Sequence, residues 1–74
     1  MKFLIFTKYI CSYCYRAKTF IDQKCYDYES INIEEDNNIE ILLEKNKYAR
    51  TMPQIFINDK NIGGYTDLVK YFEE

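Results

Sequence analysis

Two cysteines, Cys11 and Cys14 in the run Cys11-Ser12-Tyr13-Cys14, are the residues best suited to chemistry in this chain. A pair at this spacing on the first turn of a helix can close into a small disulfide ring, and the thiolate rather than the thiol is the attacking species in disulfide exchange. The motif follows an apolar run and opens a helical pattern. At a helix N-terminus, unpaired N–H groups and the helix dipole favour an anion. Cys11 is therefore expected to be the nucleophile, exposed at the tip with a lowered pKa. Cys14, one turn in and partly buried, is placed to resolve a mixed disulfide. Lys8 and Arg16 add positive potential nearby. The third cysteine, Cys25, ends the first helical pattern and is expected to be a small packing residue. The chain has no histidine, which excludes a histidine-activated nucleophile, and its three cysteines do not supply four zinc ligands in a familiar spacing. Three cysteines also make no disulfide framework of the kind that staples small secreted domains.

Two further stretches carry groups that could hold a substrate. Thr51-Met52-Pro53 precedes an apolar run, and proline is tolerated at a strand start. A cis Met52–Pro53 bond would turn the Met52 backbone toward Cys11 and offer its N–H and C=O to an extended peptide, which could pair as an added strand. Gly63-Gly64-Tyr65-Thr66-Asp67 leads into a last helical pattern. Paired glycines permit positive φ and close backbone approach. A following helix start offers N–H groups to a carboxylate, and Asp67 could take an ammonium group. A carboxylate and an ammonium on one carbon are what an α-amino acid presents. Together the three stretches fit glutathione. Its γ-glutamyl end would lie at Gly64–Asp67, its cysteine against Met52, and its glycine carboxylate near Lys8 or Arg50.

The elements that must position these groups follow from patterning. Lys2–Thr7 is a nearly continuous apolar run, as in a strand buried on both faces. Ser12–Lys24 reads as a helix with Ala17, Phe20 and Ile21 on one face. Tyr26–Ile33 alternates and reads as a strand. Asn37 or Asn38 can cap a second helix running to about Lys47, with Ile39, Leu42 and Leu43 on one face. Pro53–Ile57 is a strand, Asn58–Asn61 a hairpin turn, and Asn61-Ile62 a short strand ending at the glycines. Thr66 reads as the N-cap of a final helix carrying Leu68, Val69, Tyr71 and Phe72. The order is β-α-β-α-β-β-α, with a right-handed parallel β-α-β unit first and an antiparallel hairpin last. This predicts an α/β domain over residues 1–74, a four-stranded mixed sheet with three helices on both faces.

Composition bounds the function. With 74 residues the chain is one domain with a thin core. Hydrophobic residues at 47% and charged residues at 30% fit a globular chain rather than a disordered one. A net charge of −2 argues against nucleic-acid binding, and Glu34-Glu35-Asp36 and Glu73-Glu74 read as solvated surface. The run Phe3–Phe6 is too short for a signal-peptide core, and nothing approaches a membrane span, so the reading is cytoplasmic.

The three motifs, in this order, resemble the glutaredoxin family over nearly the whole chain. TKYICSYCYRAK resembles its segment around C-P-Y-C, RTMPQIFIN its T-V-P-Q-x-F-I segment, and IGGYTDL its G-G-x-x-D-L segment. The resemblance implies a thioredoxin fold with a cis-proline, and glutathione-dependent reduction of protein disulfides and of glutathione mixed disulfides. Ribonucleotide reductase is a frequent disulfide substrate in that family. By position, Cys11 would be the nucleophile and Cys14 the resolving thiol. Lys8, Tyr13, Arg50, Thr51, Met52, Gly64, Thr66 and Asp67 would contact glutathione, with Pro53 shaping the groove. The chain departs from the pattern at Ser12, where proline is usual, and at Met52, where valine is usual. Some glutaredoxins with serine at this position resemble cluster binders. There, two protomers and two glutathiones hold a [2Fe–2S] cluster through the first cysteine of each chain, here Cys11, meeting the four-thiolate requirement. The alternatives are thus a monomeric redox enzyme, a cluster-bearing dimer acting as carrier or sensor, and a thioredoxin served by a reductase. The Gly63–Asp67 stretch argues against the last.

Overall fold

The computed structural model describes residues 1–73; Glu74 lies outside the described residues. Strand β1 spans Phe3–Thr7, helix α1 Ser12–Gln23, strand β2 Tyr28–Asn32 and helix α2 Asn38–Lys45. Strands β3 (Gln54–Ile57) and β4 (Lys60–Gly63) and helix α3 (Tyr65–Glu73) complete the chain. The sheet order is β2-β1-β3-β4. β1 pairs parallel with β2 and antiparallel with β3, and β3 pairs antiparallel with β4. The predicted element order and mixed four-stranded sheet are therefore those observed.

The continuous apolar run of β1 is explained by its place in the middle of a sheet covered on both faces. Phe3 and Ile5 point to one side and pack with Ala17 and Ile21 of α1, Leu68 of α3, and Ile55 and Ile57 of β3. Phe6 points to the other side and packs with Phe56 of β3 and Leu42 of α2. β2, an edge strand, alternates as expected, with Tyr28 against the first cluster and Ile31 against the second. Asn58 and Asp59 both have positive φ, 50° and 71°, and make the tight turn between β3 and β4. Such a turn matches the twist of the strands it joins.

Three expectations need correction. Cys25 is exposed rather than packed. Its N–H bonds to the Asp22 carbonyl and that of Tyr26 to the Ile21 carbonyl. With φ of 64°, Cys25 stands at the position just past the helix where left-handed backbone closes a Schellman motif. Its side chain is thereby directed off the core. Helix α2 presents one buried residue, Leu42, while Ile39 and Leu43 remain about 40% exposed or slightly less. This helix has only eight residues, ending two before Lys47, and the cluster beneath it admits one side chain. Helix α3 begins at Tyr65, so Gly64 rather than Thr66 holds the cap position; the Leu68 N–H closes the first helical bond to the Gly64 carbonyl at 3.0 Å. The acidic turn is exposed, as expected, and also accepts hydrogen bonds. Glu34 accepts from the Tyr9 N–H at 2.6 Å, and Glu35 accepts from the Tyr9 hydroxyl. Glu73 is exposed.

Candidate active site

The site is assembled at one end of the sheet from three chain turns. The first is the step from β1 into α1. Cys11 has extended backbone, φ −154° and ψ 97°, and is the N-cap of α1. Its sulfur accepts a hydrogen bond from the Cys14 N–H at 3.1 Å, the bond a Ser or Asp cap would normally accept. A cap position satisfies an otherwise orphaned donor and places the acceptor in the positive field of the helix start, so a thiolate formed there is stabilised. Cys11 and Cys14 are joined in a disulfide with Cα atoms 5.2 Å apart. Cys14 is buried, with 3% exposure, whereas Cys11 is half-buried rather than fully exposed at a tip. The buried sulfur is thus shielded and the capping sulfur reachable.

The second turn is the approach to β3. The Met52–Pro53 peptide bond is cis. The Met52 carbonyl oxygen lies 3.7 Å from the Cys11 sulfur. This segment therefore flanks the sulfur that is open to attack.

The third turn joins β4 to α3. Gly63 has φ of 111°, and a Cβ there would lie 2.3 Å from an Asp67 carboxylate oxygen. Gly64 has no positive φ, and a Cβ on it would meet only the Pro53 carbonyl at 3.5 Å. Of the paired glycines, the first is the one the backbone requires. The Asp67 carboxylate accepts from the Gly64 N–H at 3.0 Å, the reach-back half of a capping box.

These turns enclose a groove of about 440 Å³ lined by Lys8, Tyr13, Arg50, Thr51, Met52, Pro53, Gly64, Tyr65 and Thr66. Every residue expected to contact glutathione or shape its groove is brought here except Asp67, whose carboxylate is turned back onto its own helix start. Tyr65 was not anticipated. Its ring centroid is 6.0 Å from that of Tyr13, and the Arg16 guanidinium lies 5.3 Å from the Tyr13 centroid. Arg16 is therefore committed to an aromatic face, and Lys8 and Arg50 are the cations lining the groove. A tyrosine inside each motif, Tyr13 between the cysteines and Tyr65 directly after the glycines, is the sequence signal for this stack. No group of three or more metal-ligating side chains converges among the described residues. The residues of one chain thus do not by themselves fit a [2Fe–2S] cluster, and four thiolates would have to come from two chains and added thiols. No helix among the described residues is long and apolar enough to cross a membrane.

Comparison with known proteins places these features in context. The glutaredoxin family model matches residues 3–62. Glutaredoxin 1 of Rickettsia bellii is 41% identical over 69 residues, covering 88% of this chain and 70% of that protein. The structure of reduced Escherichia coli glutaredoxin superimposes with a TM-score of 0.81 at 34% identity, covering 99% of this chain and 94% of that one. A buckwheat glutaredoxin–glutathione complex superimposes with a TM-score of 0.81 at 29% identity, covering 96% of this chain and 67% of that one.

Proposed function

This chain belongs to the glutaredoxin family, and we propose that it is a glutathione-dependent thiol–disulfide oxidoreductase acting on protein disulfides and glutathione mixed disulfides in the cytoplasm. The observation that carries the reading is the placement of Cys11. Its sulfur caps α1, is bonded to a buried partner, and stands beside the Met52 carbonyl of a groove lined by Lys8 and Arg50. The groove volume is in the range of small-ligand sites, and a related protein is known in complex with glutathione.

The cycle follows from the two sulfurs. In the reduced form the Cys11 thiolate, held by the Cys14 N–H, attacks a substrate disulfide. A new S–S bond forms to Cys11, the substrate S–S bond breaks, and the leaving thiolate takes a proton from solvent. The Cys14 thiol then loses its proton and attacks Cys11, releasing the second thiol. The product is the Cys11–Cys14 disulfide, the state of the chain described above. Two glutathione molecules restore the dithiol by the same exchange and leave as glutathione disulfide. Extended substrate backbone pairs along Met52, the glycine carboxylate meets Lys8 or Arg50, and the γ-glutamyl end meets the start of α3. Thr51, Thr66 and Tyr13 line its path, Pro53 shapes it, and Asp67 offers its second carboxylate oxygen to the ammonium group.

Turnover of a glutathionylated peptide with glutathione and glutathione reductase, without thioredoxin reductase, tests this reading. The expected result is turnover by the wild type and loss of at least about 10³-fold in Cys11→Ser, since a hydroxyl cannot replace the thiolate nucleophile. In Cys14→Ser a second glutathione resolves the mixed disulfide, so turnover of this substrate is retained. Normal turnover by Cys11→Ser, or dependence on thioredoxin reductase, would overturn the proposal.

A further inference from the structure

The segment Arg50–Met52 forms one lip of the groove, yet it belongs to no helix or strand. Among the described residues its backbone has one conventional hydrogen bond, accepted by the Thr51 carbonyl from the Gln54 side-chain Nε2 at 2.9 Å. Gln54 is itself buried. Its Oε1 accepts from Nδ2 of Asn61, at 3.3 Å, and the same Nδ2 donates to the Ile55 carbonyl at 3.1 Å. Asn61 Oδ1 in turn accepts from Asn46 Nδ2 at 2.9 Å, and Asn46 Oδ1 accepts from the Tyr48 N–H at 3.0 Å. Three side-chain amides thus run as a chain from the end of α2, across β4, to the groove lip.

The direction of every amide in this chain is fixed from its ends. The Thr51 and Ile55 carbonyls can only accept and the Tyr48 N–H can only donate. Reversing Asn61 would set its oxygen against the Ile55 carbonyl and Gln54 Oε1, and its nitrogen against Asn46 Nδ2. Reversing Gln54 would set its oxygen against the Thr51 carbonyl. No buried side-chain nitrogen or oxygen among the described residues lacks a partner, so the chain is fully satisfied as it stands. The Ile55 carbonyl meets Asn61 where the β3–β4 ladder shifts register between Ile55 and Phe56. A bulge of this kind re-aims a side chain and is favoured near sites. Asn61 occupies the centre, with one acceptor and both donor contacts committed.

We infer that Asn61 is a positioning residue for the groove, acting through Gln54 to hold the Thr51 carbonyl and with it the Arg50–Met52 lip. That this lip receives glutathione rests on the function proposed above; that the amide chain holds the lip does not. Asn61 touches no substrate and does not act on Cys11, whose sulfur is stabilised by the Cys14 N–H. Its loss is therefore felt in substrate binding rather than in thiol reactivity.

The test compares Asn61→Leu, Gln54→Glu and the double variant with wild type in three measurements. Gln54→Glu keeps an acceptor for Asn61 but removes the donor to Thr51, so the inference survives a failure of either single variant to fold. The expected KM for a glutathionylated peptide rises about fivefold in each single variant, the scale of one net hydrogen bond, with kcat within twofold. The rate of Cys11 alkylation in the reduced protein is unchanged. The NMR order parameters of the backbone N–H vectors at residues 50–52 fall. The double variant is no worse than the poorer single one, because both changes cut the same chain. Unchanged order parameters at residues 50–52 in a folded variant, a slowed alkylation equal to the loss in turnover, or fully additive effects would each overturn the inference. Lowered order parameters in a protein whose wild type does not turn over the glutathione substrate would overturn the glutathione reading and leave the positioning role standing.

Discussion

At the residue scale, the turn before α3 distinguishes two glycines that look equivalent as letters. Gly63 holds φ of 111° and leaves no room for a Cβ against Asp67, whereas Gly64 has neither constraint. Gly63→Ala must either distort the backbone or push the Asp67 carboxylate off the Gly64 N–H it caps. The expected cost is about 1–3 kcal/mol, the range for a residue forced into sparsely populated backbone. Gly64→Ala is expected to cost less than about 1 kcal/mol, since its Cβ would make ordinary contact. Urea unfolding of the two variants checks this, and equal midpoints would contradict it. The Gly63-Gly64 pair marked the turn plainly in the sequence. Which glycine was indispensable was not legible, because φ there depends on how the shifted β4 ladder delivers the chain to α3. Cys25 was obscured in the same way. A small apolar residue at a helix end reads as packing, and only the Schellman closure reveals that its backbone turns it to solvent.

At the scale of elements, α3 is attached by its fully buried Leu68 and by an aromatic set near its end. The Phe72 ring centroid lies 6.1 Å from Phe3, 5.6 Å from Phe20 and 6.0 Å from Tyr26, joining β1, α1 and the segment before β2. The Lys24 ammonium lies over the Phe20 and Phe72 rings, at 5.4 Å and 5.8 Å. Phe72 is half-buried, so Phe72→Ala is expected to cost about 2–3 kcal/mol, at or below the low end for a core aromatic. Leu43→Ala on α2 is expected to cost less than about 1 kcal/mol, because Leu43 is 40% exposed. A thermal shift for Leu43→Ala as large as for Phe72→Ala would show that α2 is packed more deeply than its single buried Leu42 indicates. Strand and helix order were legible because period-2 and period-3.6 patterns reflect which faces are covered. The burial of α2 was not, because three apolar letters at helical spacing do not state how many the facing sheet can receive. In the site, the two cysteines, Pro53 and the glycines were marked by spacing. Tyr65 and the Asn46–Asn61–Gln54 amides were not, since their roles arise from contacts between distant segments.

For the whole molecule, two small clusters on either side of one sheet must supply the stability, and a domain of this size holds little in reserve. Small electrostatic contributions therefore become visible in the unfolding curve. Tyr28 packs its ring against the cluster beneath α1 and α3. Burial, and then the nearby Asp22 carboxylate, raises its phenol above the usual value near 10. Both causes disfavour the phenolate in the folded chain. Below pH of about 10 the phenol is neutral in both folded and unfolded chains, and its contribution to stability is fully present. As pH rises further, the unfolded chain ionises first and is stabilised by doing so, and the contribution is lost as pH passes through the raised folded value. Stability should therefore fall with rising pH in the alkaline range, and the direction is set by the unfolded chain holding fewer protons. Tyr9 shifts in the same direction, through its hydrogen bond to Glu35 first, but it is exposed and its share is screened. Melting temperatures measured from pH 8 to pH 11 by circular dichroism should decline above about pH 10 in the wild type. In Tyr28→Phe, whose ring fills the same site without an ionisable group, the decline over that interval should be shallower, whatever the change in melting temperature at pH 8. An equally steep decline in Tyr28→Phe would assign alkaline sensitivity to groups other than the half-buried phenol packed against the core.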